Sequence, residues 1–292
     1  MRRTRPPSTK PMMEMNRPMP TAIAANSRVT AIELDRISGR LLDTLYGHHG
    51  VDVRIAALEK TTLAEGWFDL VVGNVPFGNY PVADLGNRPY AGFSIHNYFL
   101  GRALDVVRPG GLVCLITSSH TLEASDRKVR QYLSSQAQLL GAIRLPQGAF
   151  ERIASTQVQT DILFLRRREG SETLDDSWIE KDSVPEALRK PGTDRYQRIN
   201  GWYVAHPEFC IGRIHNASNG YEEVPTAVFD GDLVAELPQR IALLPRDVYA
   251  PAKAEVIPLR PVNEPAAAGE RPGSFRMRYG QVHRVEDGQL VN

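Results

Sequence analysis

With 292 residues, 42% of them apolar and 24% charged, the chain has the composition of a globular protein with one large core and an appendage. The formal net charge of +1 excludes a protein that grips nucleic acid through bulk charge alone, since neutralising phosphates needs a basic surplus; a local basic groove stays open. Cys114 and Cys210 lack metal-ligand spacing and read as reduced thiols of a cytosolic, cytoplasmic protein, and no apolar run reaches the roughly 18 residues of a membrane span.

Residues 1–28 hold five prolines, five arginines, one acidic residue and no glycine, and read as a disordered leader. Val29 to Ile32 is a short apolar run with Glu33 and Asp35 behind it, the pattern of a buried parallel strand with acids at its carboxyl end. Arg36 to Tyr46 places Ile37, Leu41, Leu42 and Leu45 at helical spacing, and Gly47 stops the helix. Strands follow at Val51 to Ile55 and Phe68 to Gly73. A helix over Ile95 to Val107 closes at Pro109-Gly110-Gly111, and the uncharged Leu112 to Thr117 reads as a central strand. Asp126 to Gln136 is a helix with Ser125 as its expected N-cap. Leu139 to Leu145 and Gln157 to Leu165 are strands whose short connection demands an antiparallel hairpin at the sheet edge. The fold class is therefore α/β: a mostly parallel, Rossmann-like sheet with an antiparallel edge hairpin, filling residues 29–168. Residues 169–250 read as a linker plus a small accessory region around Trp202, Tyr203, Phe209, Ile211 and Tyr221. Residues 251–292 read as a Pro/Ala-rich linker and a short strand pair with a turn at Asp287-Gly288.

The chemistry gathers at Asn74-Val75-Pro76-Phe77, straight after an apolar strand. In open parallel sheets ligands bind beyond the carboxyl ends of the strands. An asparagine amide oxygen and a neighbouring backbone carbonyl can both accept hydrogen bonds from one exocyclic amine, which aims the nitrogen lone pair at an electrophile. Phe77 offers a face for a flipped base, Pro76 stiffens the turn, and Gly78 permits close approach.

This tetrapeptide resembles the Asn-Pro-Pro-Tyr/Phe motif of DNA adenine-N6 methyltransferases. Five further segments are more specific: Ile32-Glu33-Leu34-Asp35, Gly73 to Gly78, Ser94 to Phe99, Arg108-Pro109-Gly110-Gly111 and Gly141 to Pro146. Together they resemble the methylase segment of large helicase–methyltransferase proteins of phages, plasmids and integrated elements, over roughly Val29 to Arg168. Gly201-Trp202-Tyr203 and His206-Pro207-Glu208 continue the likeness more faintly. The resemblance implies S-adenosyl-L-methionine as cofactor, DNA as substrate, and helicase modules elsewhere in a longer parent. It implies that Asn74 and the Val75 carbonyl accept from the target N6 amine and that Phe77 stacks on the adenine. Glu33 would bind the cofactor ribose, and Leu58 and Glu59 would lie near the cofactor adenine. Valine at position 75 departs from the usual proline, and an aromatic is usual where Leu58 stands. The serious departure is upstream: the family places a glycine-loop strand ahead of the Glu33 strand, yet the first glycine here is Gly39. The sheet is therefore expected to lack that strand and to be interrupted beside Val29.

Other readings stand beside this one. A protein glutamine methyltransferase would use the same amide-accepting motif. A non-catalytic remnant, acting as a scaffold or DNA-contacting module, fits the absent glycine loop. His96 and Tyr98 read as helix-face packing rather than DNA contacts. Arg127, Lys128 and Arg130, and Arg166 to Arg168, read as solvated faces before phosphate contacts. His206, Cys210 and His215 lack a fourth ligand, and no metal is expected.

Overall fold

The computed structural model describes residues 27–84, 86–150, 158–170, 173, 176–192, 198–218, 223–249, 271–278, 281–286 and 289–291. Most of the leader, the Pro/Ala-rich stretch 251–270, Tyr221 and the Asp287-Gly288 turn lie outside the described residues. The chain divides into two compact units, residues 1–250 and 251–292.

In the first unit, β1 (Thr30–Glu33) and β2 (Asp52–Ile55) form a parallel pair, with Ala31 opposite Val53 and Glu33 opposite Ile55. Between them runs α1 (Arg36–Tyr46), which starts where Asp35 accepts hydrogen bonds from the Ile37 and Ser38 amides at 3.1 and 2.8 Å. A separate four-stranded sheet has the order β3 (Phe68–Asn74), β4 (Val107–Ser118), β6 (Thr160–Arg167), β5 (Ala137–Arg144). β3 and β4 are parallel; β6 is antiparallel to both β4 and β5, so three of the four strands run the same way. The edge hairpin and the central place of β4 are as the sequence predicts. So is the break: among the described strands, β1 and β2 pair with each other and with nothing else.

Helices α2 (Ile95–Val106), α3 (His120–Glu123) and α4 (Lys128–Gln136) complete this part. Leu100, Ala103 and Leu104 of α2 join Val113 and Leu115 of β4, Leu133 of α4 and Leu163 of β6 in one buried core. Gly101 is required there, because a Cβ would stand 2.4 Å from the Tyr90 ring. β4 is longer than expected and runs back through Pro109-Gly110-Gly111: Phe68 pairs with Val107 across a register shift, and Gly110 adopts φ +72°. The cap expected of Ser125 is corrected. α4 begins at Lys128, whose amide donates to the Asp126 carboxylate at 2.9 Å, a stronger acceptor closer to the first turn.

The linker expected after Arg168 is also corrected over 176–190. Trp178, Val184 and Leu188 are buried in the same core as the sheet; their spacing among charged residues hides them from a running hydropathy. β7 (Lys181–Ser183) pairs antiparallel with β8 (Arg198–Asn200), which leads into α5 (Gly201–Ala205). β9 (Arg213–Ser218) and β10 (Glu223–Val228) form an antiparallel pair, followed by α6 (Leu233–Ile241). In the second unit the expected strand pair is three strands, β11 (Phe275–Arg278), β12 (Gln281–Glu286) and β13 (Gln289–Val291), closed around Val285 and Leu290. Among the described residues no helix is long and apolar enough to cross a membrane.

Candidate active site

β3 ends at Asn74, whose side chain is exposed at the strand's carboxyl end, opposite Ile116 in the register. Val75 is buried and its amide donates to the Ile116 carbonyl at 3.1 Å, so the turn stays tied to β4 for one residue beyond the strand. Pro76 is exposed, and Phe77 packs its half-buried ring against the core. Ile116 also lines an apolar cleft of about 380 Å³ with Leu145, Phe150, Ile162, Leu237 and Ile241. Ile116 is the link between the turn and this cleft, whose lining includes none of Asn74 to Phe77.

Behind the turn lies a relay that the sequence reading missed. The His96 Nδ1–H donates to the Gly78 carbonyl at 3.1 Å, which leaves Nε2 to accept from the Ser94 hydroxyl at 3.1 Å. The Asn97 amide donates to the same Ser94 oxygen at 2.9 Å and accepts from the Thr121 hydroxyl at 2.8 Å; Thr121 in turn meets Thr117 of β4 at 3.0 Å. The Ile95 amide donates to the Tyr80 carbonyl, and Tyr98 donates to Asp84. The start of α2 therefore holds the segment after Phe77 at several points. Burial is the main cause that drives His96 down to about 4, so the ring is neutral near pH 7. The available signal was Ser94-Ile95-His96-Asn97, polar side chains on the first turn of an otherwise apolar helix.

Glu33 closes β1, and one of its carboxylate oxygens accepts from the Asp35 amide at 2.8 Å. Leu58 and Glu59, half-buried, form a 3-10 turn three residues past β2. The parallel β1–β2 pair therefore brings Glu33, Leu58 and Glu59 to one end of one small sheet, while Asn74 to Phe77 stand on the other sheet. A carboxylate closing β1 and an apolar side chain past β2 are of the chemical types that would hold the ribose hydroxyls and the adenine of S-adenosyl-L-methionine.

The solvated-face reading holds for Arg127 and Lys128, which are exposed, and is corrected for Arg130 and for Arg166 to Arg168, which are buried or half-buried. Arg130 is buried and donates to the Ile179 and Ala124 carbonyls at 2.6 and 2.8 Å. Arg127 pairs with Glu180 and Arg166 with Glu169, and Arg167 and Arg168 donate to main-chain carbonyls. Apart from Glu169 and Ala124, these partners come from segments more than thirty residues away, which local charge patterning does not show. A second internal network centres on Arg144 of β5. It makes two bonds to Asp161 at 2.9 and 3.0 Å and one to Glu123 at 2.8 Å, and its guanidinium lies 4.4 Å from the Tyr203 ring centre. The Tyr203 hydroxyl donates to Asp161 at 2.9 Å, and Trp202 donates to the Ala142 carbonyl at 3.0 Å.

The sequence family described as Eco57I restriction-modification methylase matches residues 27–150, the stretch that carries β1 to β5, the Asn74 turn and the His96 relay. Residues 27–150 are similar to restriction-modification methylases. The chain is also 34% identical, over 141 residues and 48% of its length, to Defense against restriction protein B of Escherichia phage P1, and it spans only 6% of that protein. Among solved structures, the chain aligns with the M protein of the type I restriction enzyme EcoKI (TM-score 0.41, 18% identity, 53% of this chain and 34% of that one). It aligns similarly with a type I restriction-modification methyltransferase subunit from Streptococcus thermophilus (TM-score 0.42, 16% identity, 49% and 35%).

Proposed function

We propose that Asn74 to Phe77 form the substrate side of a DNA adenine-N6 methyltransferase, within a longer polypeptide that also carries helicase modules. The observation that carries this reading is the Asn74 amide, exposed on a turn tied to β4 at the carboxyl end of a parallel strand. S-adenosyl-L-methionine, when bound, supplies an electrophilic methyl group. The Asn74 amide oxygen and the Val75 carbonyl accept from the adenine amine and orient its lone pair, and Phe77 stacks on the base. Glu33 holds the ribose hydroxyls, with Leu58 and Glu59 against the cofactor adenine. The work is positional and electrostatic, and no side chain acts as nucleophile.

The test uses a chimera in which the corresponding upstream segment of the phage P1 relative precedes residue 27, and reads tritiated methyl transfer to adenine in DNA. Asn74→Ala is expected to lower the rate by about 10²–10³, the usual loss for one preorganised hydrogen-bonding group. Phe77→Ala is expected to weaken it by about 1–3 kcal/mol through lost stacking. Unchanged incorporation in Asn74→Ala would remove the motif from the active site, and transfer to a glutamine-containing peptide instead of DNA would move the substrate to protein. A second reading, a non-catalytic module, is favoured by the split between β1–β2 and β3. Its expected outcome is calorimetry of the chain alone with S-adenosyl-L-methionine showing binding far weaker than micromolar; micromolar binding sinks it.

A further inference from the structure

Tyr80, which follows Phe77, Gly78 and Asn79, combines an exposed side chain with a fixed backbone. It is 55% exposed. Its carbonyl accepts from the Ile95 amide at 2.8 Å, Pro81 bridges antiparallel to Ser94, and the Gly78 carbonyl accepts from His96 at 3.1 Å. The ring lies against Gly78, where a Cβ would stand 2.9 Å from Cδ1 and 3.1 Å from Cζ. The φ of Gly78 lies outside the left-handed region, so position 78 needs glycine for the approach of this ring and not for its backbone. The segment beyond is clamped onto α2. Tyr98 donates to Asp84 at 2.8 Å, Arg88 reaches Asp84 at 3.2 Å and Asp105 at 2.6 Å, and Tyr90 donates to Asp105. Tyr90 and Tyr98 are thus buried with a carboxylate for each hydroxyl. The Tyr80 hydroxyl has no partner among the described residues. An aromatic ring set in place by its neighbours, with more than half of it in solvent, is preorganised to meet a ligand.

We propose that Tyr80 is a second aromatic platform of the substrate site, stacking on the nucleobase next to the target adenine. The inference rests on Asn74 to Phe77 being the substrate side of a DNA methyltransferase. The order along the turn sets the assignment: Asn74 takes the amine edge of the adenine, Phe77 the face of the same base, and Tyr80, past Gly78, the next base of the strand. Three residues span at most about 10 Å, so one short run of nucleotides can meet both rings. When a target base leaves the stack, each neighbour loses one stacking partner, and an aromatic side chain replaces that contact. The charge balance points the same way. With a net charge of +1 the chain has little general attraction for phosphate, so stacking carries a larger share of its hold on a strand. Tyr80 therefore acts on binding and on the preferred neighbouring base, while the methyl-transfer step is left to the groups that touch the adenine.

The probe is a fluorescein-labelled single-stranded oligonucleotide with one adenine between two guanines in a thymine strand, whose bases need no flipping. It is titrated with the purified chain and read by fluorescence anisotropy, intact, abasic at the adenine, and abasic at either guanine. Tyr80→Ala is expected to raise Kd for the intact strand about 5- to 100-fold, the worth of one base–aromatic stack, and to leave Kd unchanged for the strand abasic at the guanine that Tyr80 covers. Tyr80→Phe is expected to bind as wild type does. Tyr80→Ala is expected to retain the circular dichroism of the chain, since the ring it removes is mostly in solvent. Phe77→Ala, measured in the same way, is expected to lose affinity only when the adenine is present. An equal loss in Tyr80→Ala for intact and abasic strands shows a ring that merely stiffens the turn and overturns the proposal. Coupling of Phe77 to the adenine, without coupling of Tyr80 to either guanine, overturns it and leaves the role of Asn74 to Phe77 standing. Coupling of neither residue, or no binding at all, overturns both.

Discussion

His96 sits where a change of charge reaches the candidate site. Its Nδ1–H holds the Gly78 carbonyl and its Nε2 takes the Ser94 hydrogen, an arrangement only the neutral ring can make. The ring is held down to about 4 in the folded chain and returns to its ordinary value near 6.5 when unfolded. Between those values the unfolded state binds more protons, so the stability due to this residue is complete above about pH 6.5 and falls as the pH drops toward 4. The whole swing is at most about 3 kcal/mol. Urea titrations of wild type and His96→Gln from pH 7.5 to 4.5 are expected to converge at low pH; parallel curves refute the assignment. At this scale the sequence was half legible. Asn74, Val75, Pro76 and Phe77 stand out because a short motif follows a strand, and both signals are local. The relay through Ser94, Asn97, Thr121 and Thr117 joins residues more than twenty positions apart, which no spacing rule exposes.

At the level of elements, local periodicity sufficed for β1, α1, β3, α2 and the β5–β6 hairpin, each close to its predicted bounds. What failed were the places where tertiary pairing overrides local preference. β4 extends through Pro109-Gly110-Gly111 because β3 continues beside it. α1 carries a regular apolar stripe, which periodicity assigns to a core, yet Ile37, Leu41 and Leu45 face outward. This helix leans on its cap and on close contact at Gly39, where a Cβ would meet Ile55 at 2.8 Å. Asp35→Ala is expected to raise hydrogen exchange first at Ile37 and Ser38 and then along α1, leaving β4, β5 and β6 protected. Exchange that rises evenly across both sheets would mean that β1–α1–β2 is not a separable cooperative element.

Across the first unit, residues from Trp178 to Ala227 join the same core as the sheet, and the Arg144 network ties Tyr203 to it. Glu123 precedes β5, Asp161 lies on β6 and Tyr203 on α5, and all three converge on one buried guanidinium. Burial and the Asp161 carboxylate keep the Tyr203 phenol well above its ordinary value, so it remains a donor. Arg144→Met leaves the Asp161 carboxylate buried without its partner and is expected to cost about 3–5 kcal/mol in urea unfolding. Changing Arg144, Asp161 and Glu123 together to apolar residues of similar volume is expected to recover most of that loss. A triple variant no more stable than the single one would show that the network's value lies in its geometry rather than in avoided unpaired charge.

That contrast constrains how the chain can change over generations. An apolar centre at this spot is energetically reachable, but only through intermediates that hold a lone buried carboxylate or a lone buried guanidinium. Each such intermediate forfeits a large part of the few kcal/mol that separate a folded domain from an unfolded one. Descendants of this chain are therefore expected to keep Arg144, Asp161 and Glu123 as a set, even in lineages where the exposed Asn74 turn has drifted.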